Sequence, residues 1–283
     1  MFNRILVPLD GSTFSSQVLP YVRDIAQGLQ AQVTLVSVRP SERRPAGGGV
    51  AKERNESIGQ LVERLSAFGV RAAAQELAGR PADAIIELTN NGEFDLVAMA
   101  THGRSGLRRI FRGSMATEIL RRTSTPLLVV SPWGSINLDV TRSVTSVLVP
   151  LNGSRLSESA LEPAEQLAKA MRVSVRLLRV LPLLPAVGKT VRDEQLVKQE
   201  AERYLESHKQ ALAAKGIVAT VGVRVAWEPR AIIEAAREDA GTLIVMGSRG
   251  LVGNARSVLG SVADEVVRES RQPVLMIRPD VVT

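Results

Sequence analysis

The sequence predicts an α/β protein built from two similar doubly wound parallel-sheet domains in tandem, each with five strands. Short apolar runs alternate with helical patterns along the 283 residues, which is typical of parallel sheets with crossover helices. The pattern restarts halfway, where SVLVPLNGS at 146–154 repeats RILVPLDGS at 4–12. A glycine-punctuated loop also occurs twice, as LVAMATHGRSGLRRIFRGS at 96–114 and LIVMGSRGLVGNARSVLGS at 243–261. Such self-similarity indicates a repeated structural unit.

The first half contains five predicted strands separated by helical patterns. The strands are the apolar runs Asn3–Pro8, Gln32–Val38, Arg71–Leu77, Asp95–Met99 and Pro126–Val130. The predicted helices end near Gln30 and near Phe68, begin at Gly79 and run through Leu88, and span Ser114–Arg122. Pro20 lies early in the first of these helices and predicts a kink there.

The second half repeats this order after a segment that has neither a helical nor a strand pattern. Residues 132–145 contain Pro132 and Gly134 and predict a linker, so the domains are 1–131 and 146–283. After the first strand, in SVLVPLNGS, the predicted strands are Val173–Val180, Val218–Ala226, Thr242–Met246 and Val274–Ile277. The predicted helices are Leu156–Met171, Val191–Ala214, Pro229–Glu238 and one that begins at Ser261.

The glycine-punctuated loops predict an anion site in each half. In open parallel sheets, ligands bind outside the carboxyl ends of the strands, where the strand order reverses. Asp10 follows the first strand and the loop around Gly103 follows the fourth, so both point at one crevice. Glycines let the backbone approach a phosphate, and a helix that begins beyond them offers free N–H groups. The Ser261 hydroxyl either caps that helix or bonds a phosphate oxygen. An ordinary glycine-rich turn explains one such loop equally well, but the repeat favours the anion site.

Composition narrows the class of ligand and the compartment. The net charge of +7 and the sequence pI near 10.3 favour anionic ligands. Aromatic residues make up only 3% of the chain, which disfavours stacking on nucleic acid. The chain has no cysteine, so disulfides and cysteine-ligated metals are excluded. The first residues lack a signal-peptide core, and no apolar run is long enough for a bilayer; we expect a cytoplasmic protein that does not bind membranes.

With these residues in hand, the chain resembles the universal stress protein family in its tandem two-domain form, over nearly its whole length except the linker. The family's nucleotide signature is glycine, two residues, glycine, nine residues, glycine, and then serine or threonine. The second half matches it at Gly247, Gly250, Gly260 and Ser261. The first half matches it at Gly103, Gly113 and Ser114 but has Ala100 in first place. The family's aspartate after the first strand is Asp10, and the second half has Asn152 there.

The resemblance implies a Rossmann-like sheet in the order 3-2-1-4-5 and a site for ATP or another adenine nucleotide, with or without magnesium. Adenine would lie near Val38 and Val180 at the end of the second strand of each half. Asp10 would contact the nucleotide or a phosphate-bound Mg²⁺, and capping the following helix is its alternative role. The residues implied to line the two sites are Pro8, Asp10, Val38, Ala100, His102, Gly103, Arg104, Gly113, Ser114, Met115, Ala116, Pro150, Asn152, Val180, Gly247, Arg249, Gly250, Gly260, Ser261, Val262 and Ala263.

Two of these site residues and the fifth strands carry further expectations. His102 and Arg249 occupy equivalent loop positions and could each meet phosphate; for His102 the alternative is an exposed loop histidine. The arginines of the first loop could do the same or simply form a solvated face, and they are Arg104, Arg108, Arg109 and Arg112. The resemblance also implies that the fifth strands pair within the chain, and a homodimer could form in addition.

The motifs that are missing argue against efficient catalysis. The chain has neither a Gly-x-x-x-x-Gly-Lys-Ser/Thr loop nor a Gly-x-Ser-x-Gly elbow. Its two histidines, His102 and His208, cannot supply a metal cluster by themselves. We therefore expect a nucleotide-binding regulator or protective factor rather than an enzyme. A slow ATPase and a ligand-free structural or interaction module are the alternatives.

Overall fold

Each half of the chain folds as its own α/β unit in the computed structural model, unit 1 being Met1–Thr141 and unit 2 Arg142–Thr283. The structure describes residues 2–39, 56–100, 115–131, 138–139, 143–182, 191–248 and 259–278. The division between the units falls inside the segment 132–145 that the sequence assigns to a linker, and the bounds of that linker stay a prediction.

The strands of unit 1 form parallel pairs in the order β3-β2-β1-β4-β5, as the resemblance implies. Strands β1, β4 and β5 are almost wholly buried because their residues are continuous apolar runs, as in sheets covered on both faces. The strands are β1 (Arg4–Pro8), β2 (Gln32–Arg39), β3 (Arg71–Ala78), β4 (Leu96–Ala100) and β5 (Leu127–Val130). The helices are α1 (Leu19–Leu29), α2 (Ile58–Ala67), α3 (Pro81–Asn90) and α4 (Met115–Arg122).

Unit 2 repeats this topology in the order β10-β9-β6-β7-β8, again with parallel neighbours. Its strands are β6 (Ser146–Pro150), β7 (Ser174–Leu181), β8 (Ala219–Val225), β9 (Thr242–Gly247) and β10 (Val274–Ile277). Its helices are α5 (Arg155–Glu158), α6 (Leu161–Met171), α7 (Val191–Ala213), α8 (Glu228–Arg237) and α9 (Ser261–Glu269). Within the described ranges, none of the helices combines the length and the apolar character that crossing a membrane requires.

Proline marks where the first long helix of each unit begins. A 3-10 helix, Ser15–Val18, precedes α1, and the one-turn helix α5 precedes α6. Pro20 is the second residue of α1 and Pro163 the third of α6. N–H groups of a first turn have no acceptor inside the helix, so proline is tolerated there. The helix predicted around Pro20 is therefore a 3-10 helix followed by α1, with Pro20 at the change from one to the other, and the predicted helix Leu156–Met171 is two helices.

Both of these helices end in the same way. Gln30 follows α1 and Arg172 follows α6, and each has a φ of 55° in the left-handed region. Each residue then leads directly into the second strand of its unit, β2 or β7. In both units the first strand lies between the second and the fourth, so the strand order reverses there and the carboxyl ends open onto a crevice.

Candidate functional site

A cavity of about 580 Å³ opens at the carboxyl ends of the strands of unit 2. Strands β6, β7 and β9 and the first turns of α8 and α9 contribute to its wall. Residues that the sequence assigns to the nucleotide site line it, and they are Pro150, Asn152, Val180, Gly247, Gly260, Ser261, Val262 and Ala263. These residues lie at the ends of β6, β7 and β9 and at the start of α9.

The turn after β6 holds Asn152 by its amide oxygen. Oδ1 of Asn152 accepts hydrogen bonds from the backbone N–H of Ser154 at 3.1 Å and from its hydroxyl at 2.7 Å. The Ser154 hydroxyl in turn accepts the N–H of Ser157 and caps α5. Gly153 has a φ of 84°, a conformation that glycine adopts at little cost. The turn is therefore fixed by local hydrogen bonds before any ligand arrives.

The turn after β1 in unit 1 is built in the same way around a carboxylate. Oδ1 of Asp10 accepts the backbone N–H of Ser12 at 2.9 Å and its hydroxyl at 2.5 Å. Gly11 takes the place of Gly153 with a φ of 75°. Asp10 thus closes a turn onto Ser12, and it does not have the helix-capping role that the sequence offered as its alternative, because neither the 3-10 helix nor α1 has a side-chain cap. Because Asn152 makes the same two bonds, the exchange of aspartate for asparagine alters the charge of the turn and not its shape.

Helix α9 begins beside the cavity without a side-chain cap. Gly260 is its N-cap residue, in extended conformation, and donates its N–H to the carbonyl of Ser248 at 2.9 Å. Ser261 is the first helical residue, so of the two roles that the sequence left open for its hydroxyl, the helix cap is not observed. The first N–H groups of a helix have no acceptor within it. Ser261, Val262 and Ala263 therefore bring backbone donors and the positive end of the helix dipole to the cavity wall.

Five polar or aromatic residues of the wall were not predicted from the sequence. They lie on or just after the second and third strands of unit 2, on α5 or on α9, and they are Ser157, Arg179, Trp227, Glu228 and Glu265. The Trp227 indole is 63% exposed, and its Nε1 lies 3.3 Å from a carboxylate oxygen of Glu265. Burial raises the pKa of the Glu228 carboxyl. All parallel strands end at one edge, so the end of β8 was the available signal for Trp227 and Glu228.

The remaining predicted residues divide into two groups. Pro8 ends β1, Val38 lies in the last part of β2, Ala100 ends β4, and Met115 and Ala116 begin α4, so each lies at a carboxyl end or a helix start of unit 1. The other group lies outside the described residues, and its members are His102, Gly103, Arg104, Gly113, Ser114, Arg249 and Gly250, with the loop arginines Arg108, Arg109 and Arg112.

The wall of the unit 2 cavity carries groups that can bind an anion. It offers an arginine, an amide and uncapped N–H groups, together with the carboxyl groups of Glu228 and Glu265 and apolar surface from Val180, Ile232 and Met246. In the part of the chain that the structure describes, no three histidine, cysteine or acidic side chains are placed to hold a metal ion.

The comparisons with known proteins all lead to the same family. The family model described as Universal stress protein family matches residues 1–131 and 144–278. A universal stress protein of Methanocaldococcus jannaschii is 30% identical over 140 residues, covering 46% of this chain and 82% of that protein. One from Mycobacterium tuberculosis is 27% identical over 198 residues, 70% of this chain and 66% of its own length. The crystal structure of a universal stress protein from Archaeoglobus fulgidus shares the fold at a TM-score of 0.67 and 23% identity, with 98% of this chain and 96% of that chain covered.

Proposed function

Because the chain belongs to the universal stress protein family, we propose that it is a stress-response protein that binds ATP or another adenine nucleotide. The cavity of unit 2 carries this proposal. The uncapped start of α9 forms one part of its wall, and β7 contributes Arg179 and Val180 to another part. Phosphate groups suit the N–H donors of α9 and the arginine, and a base suits the apolar surface around Val180. The glycine signature at 247–261 is the pattern that the family resemblance associates with ATP.

The corresponding crevice of unit 1 differs from that of unit 2 at two of the residues that the family resemblance assigns to the nucleotide site. Asp10 keeps the carboxylate, which is the type of ligand that Mg²⁺ prefers, so this unit suits nucleotide with a phosphate-bound magnesium ion. Ala100 adds a methyl group where unit 2 has Gly247. We propose that unit 1 binds nucleotide more weakly than unit 2.

The proposed role of nucleotide is regulatory or protective rather than catalytic, and the proposed compartment is the cytoplasm, in keeping with the cysteine-free composition. We also propose that β5 and β10 pair within the chain and that a homodimer can form. Each is the terminal strand of its own unit, and a terminal strand carries unpaired polar groups that need cover. The few aromatic residues favour small nucleotides over nucleic acid as the anionic partner.

A charge placed in the cavity tests nucleotide binding. Val262→Glu brings a carboxylate to the first turn of α9, where it repels phosphate but suits the helix dipole, so the fold is retained. We expect ATP affinity, measured by calorimetry, to fall about tenfold or more. Val218→Glu is the matched control, because Val218 is 72% exposed and does not line the cavity.

The purified protein offers a second test. Mass spectrometry of the denatured wild type should detect a co-purified adenine nucleotide. Absence of nucleotide together with absence of calorimetric ATP binding would favour a ligand-free interaction module. Steady ATP turnover with magnesium would instead favour the slow ATPase.

A further inference from the structure

Arg179 places a positive charge in the cavity wall of unit 2. Its guanidinium carbon lies 4.9 Å from the centre of the Tyr204 ring. Its Nη1 lies 3.0 Å from the point where a Cβ on Gly153 would be. Arg179 is half-buried, and among the described residues no carboxylate pairs with its guanidinium. An aromatic ring and a glycine turn therefore hold the charge in place.

The ring that supports Arg179 is itself fixed. The Tyr204 hydroxyl donates to Oε1 of Glu158 at 2.7 Å. The His208 and Tyr204 rings pack nearly perpendicular to each other, with 4.8 Å between the ring centres. Burial and the neighbouring Glu158 raise the pKa of the Tyr204 hydroxyl, so Tyr204 stays neutral. Arg179 is therefore pre-positioned, and a ligand does not have to order it.

The equivalent place in unit 1 carries no charge. Pro8 pairs with Val36 and Pro150 pairs with Leu178, so Ser37 and Arg179 follow at the same register. The turn beside Ser37 carries the Asp10 carboxylate, and the turn beside Arg179 carries the Asn152 amide. The two crevices therefore differ by two units of charge at one point. Unit 1 has a negative turn and a neutral strand residue, whereas unit 2 has a neutral turn and a positive one.

The residues around this turn in unit 2 do not fit a magnesium ion. Magnesium prefers carboxylate and phosphate oxygens, whereas Asn152 offers an amide oxygen that already accepts two hydrogen bonds. Arg179 beside the same turn repels a cation. The carboxylates of the cavity are Glu228 and Glu265, and Glu265 already accepts the Trp227 indole N–H.

We infer that unit 2 binds its nucleotide as the metal-free anion. Arg179 supplies the positive charge that a magnesium ion supplies when nucleotide binds as its magnesium complex. The inference rests on the proposed function, because it assumes that the ligand of this cavity carries phosphate groups. A guanidinium presents paired N–H donors that match phosphate oxygens and stays charged at any working pH. This explains why unit 2 has Asn152 where unit 1 has Asp10. A carboxylate in the turn of unit 2 would neutralise Arg179 and repel the phosphates.

The chain offers its own reporter for this cavity. Its two tryptophans are Trp133 and Trp227, and Trp227 lines the cavity. In full-length protein that carries Trp133→Phe, tryptophan fluorescence therefore reports on unit 2 alone. ATP is titrated with EDTA and, separately, with excess magnesium. We expect binding in EDTA that is at least as tight as binding with magnesium.

Arg179→Gln should weaken ATP binding in EDTA by about 10- to 100-fold, the range for a lost charge-assisted contact. Adenosine, which has no phosphate, should bind this variant and its parent equally, so a general loss of structure would be recognised. Arg203→Gln is the matched control, because Arg203 is exposed on α7 and lies outside the cavity wall.

Asn152→Asp gives a second variant that the fold should tolerate, because aspartate makes the same turn hydrogen bonds in unit 1. We expect it to weaken metal-free ATP binding at least several-fold and to shift the preference towards magnesium. ATP binding that requires magnesium in the parent would overturn the inference and leave the proposed function standing. So would equal binding of ATP in EDTA by Arg179→Gln and its parent. Absence of any ATP response in unit 2, in either buffer, would overturn the proposed function itself.

Discussion

Asp239 joins the beginnings of two strands in unit 2 through one carboxylate. Its oxygens accept the Ser146 hydroxyl at 2.6 Å, the Thr145 hydroxyl at 2.8 Å and the Gly241 N–H at 3.0 Å. Burial alone would raise the pKa of this carboxyl, but the hydrogen bonds outweigh burial and hold the pKa below its ordinary value. Asp239 therefore stabilises the folded state in its ionised form.

Asp239→Asn should lower the free energy of unfolding at pH 7 by about 1–3 kcal/mol, because an amide cannot replace the charge-assisted bonds. A carboxyl with a lowered pKa in the folded state contributes stability above its unfolded pKa, and this contribution is lost as the pH falls through the folded pKa. The difference between variant and wild type should therefore shrink from pH 7 towards pH 3, as measured by urea denaturation. A difference that stays constant with pH would contradict this role.

Arg23 fastens helix α1 to the segment that follows β5 in unit 1. This side chain is only 1% exposed, and its Nε and Nη2 donate to Oδ1 of Asp24 at 3.0 and 2.6 Å. Its Nη1 donates to the carbonyl of Leu138, and its guanidinium lies over the Phe68 ring. One buried cation thus holds together α1, the end of α2 and a residue distant in sequence.

Arg23→Met should destabilise the protein by about 3–5 kcal/mol, because it leaves the buried Asp24 carboxylate without this partner. Thermal unfolding measures the loss. Arg39→Met breaks the exposed pair with Glu76, whose side chains are 73% and 53% exposed, and should cost less than about 1 kcal/mol. Similar losses of stability in the two variants would show that burial of the Arg23–Asp24 pair does not increase its contribution to stability.

Elements with one strong local cause could be predicted from the sequence, and elements set by tertiary contacts could not. The apolar runs of β4 and β9 gave the strands within one or two residues, because such runs are stable only with both faces covered. Pro20 fixes where α1 starts, but sequence alone does not separate a start from a kink. Arg23 resembled any arginine on a helix, since its partner Leu138 lies 115 residues away.

In the candidate site, too, residues with a local sequence signal could be predicted and residues placed by tertiary contacts could not. The glycine loop of unit 2 and Asn152 could be read from their spacing, because both follow strands and both recur in the other half. Arg179 could not be recognised as a site residue, because its place depends on a ring from α7 and on a glycine turn after β6. Trp227 likewise enters the site through the third strand of the unit, which carries no repeated motif.

At the scale of the whole molecule, the proposed pairing of β5 with β10 can be tested by distance. The chain has no cysteine, so Ser124→Cys with Arg271→Cys places two spin labels just before the fifth strands. Two short strands related by a twofold axis run antiparallel, and at about 3.3 Å per residue we expect a narrow distance distribution of roughly 20–30 Å. Adding Val129→Lys should broaden it. Singly labelled protein is the control for contacts between two chains, and a broad distribution beyond about 40 Å in the double variant would contradict pairing.

The proposed difference in affinity between the two units depends on one methyl group. Ala100 pairs with Val130 and Gly247 pairs with Ile277, so the two residues occupy the same place at the ends of β4 and β9. A methyl group there keeps the backbone from approaching a phosphate closely, and no other side chain supplies that approach. The loss of the carboxylate in unit 2 is easier to compensate. A carboxylate there would hold magnesium, and Arg179 already supplies positive charge beside the Asn152 turn.

Exchanging the two residues in the full chain should reverse the order of the sites. Gly247→Ala should weaken ATP binding to unit 2, read from Trp227 in the Trp133→Phe background, by about tenfold, or roughly 1.4 kcal/mol. Ala100→Gly should leave that signal unchanged and strengthen the weaker of two calorimetric binding events. Asp10→Ala, which removes the carboxylate of unit 1, should likewise leave the Trp227 signal unchanged. If Gly247→Ala binds ATP like its parent while Asp10→Ala abolishes the tighter event, the aspartate outweighs the glycine and unit 1 holds the stronger site.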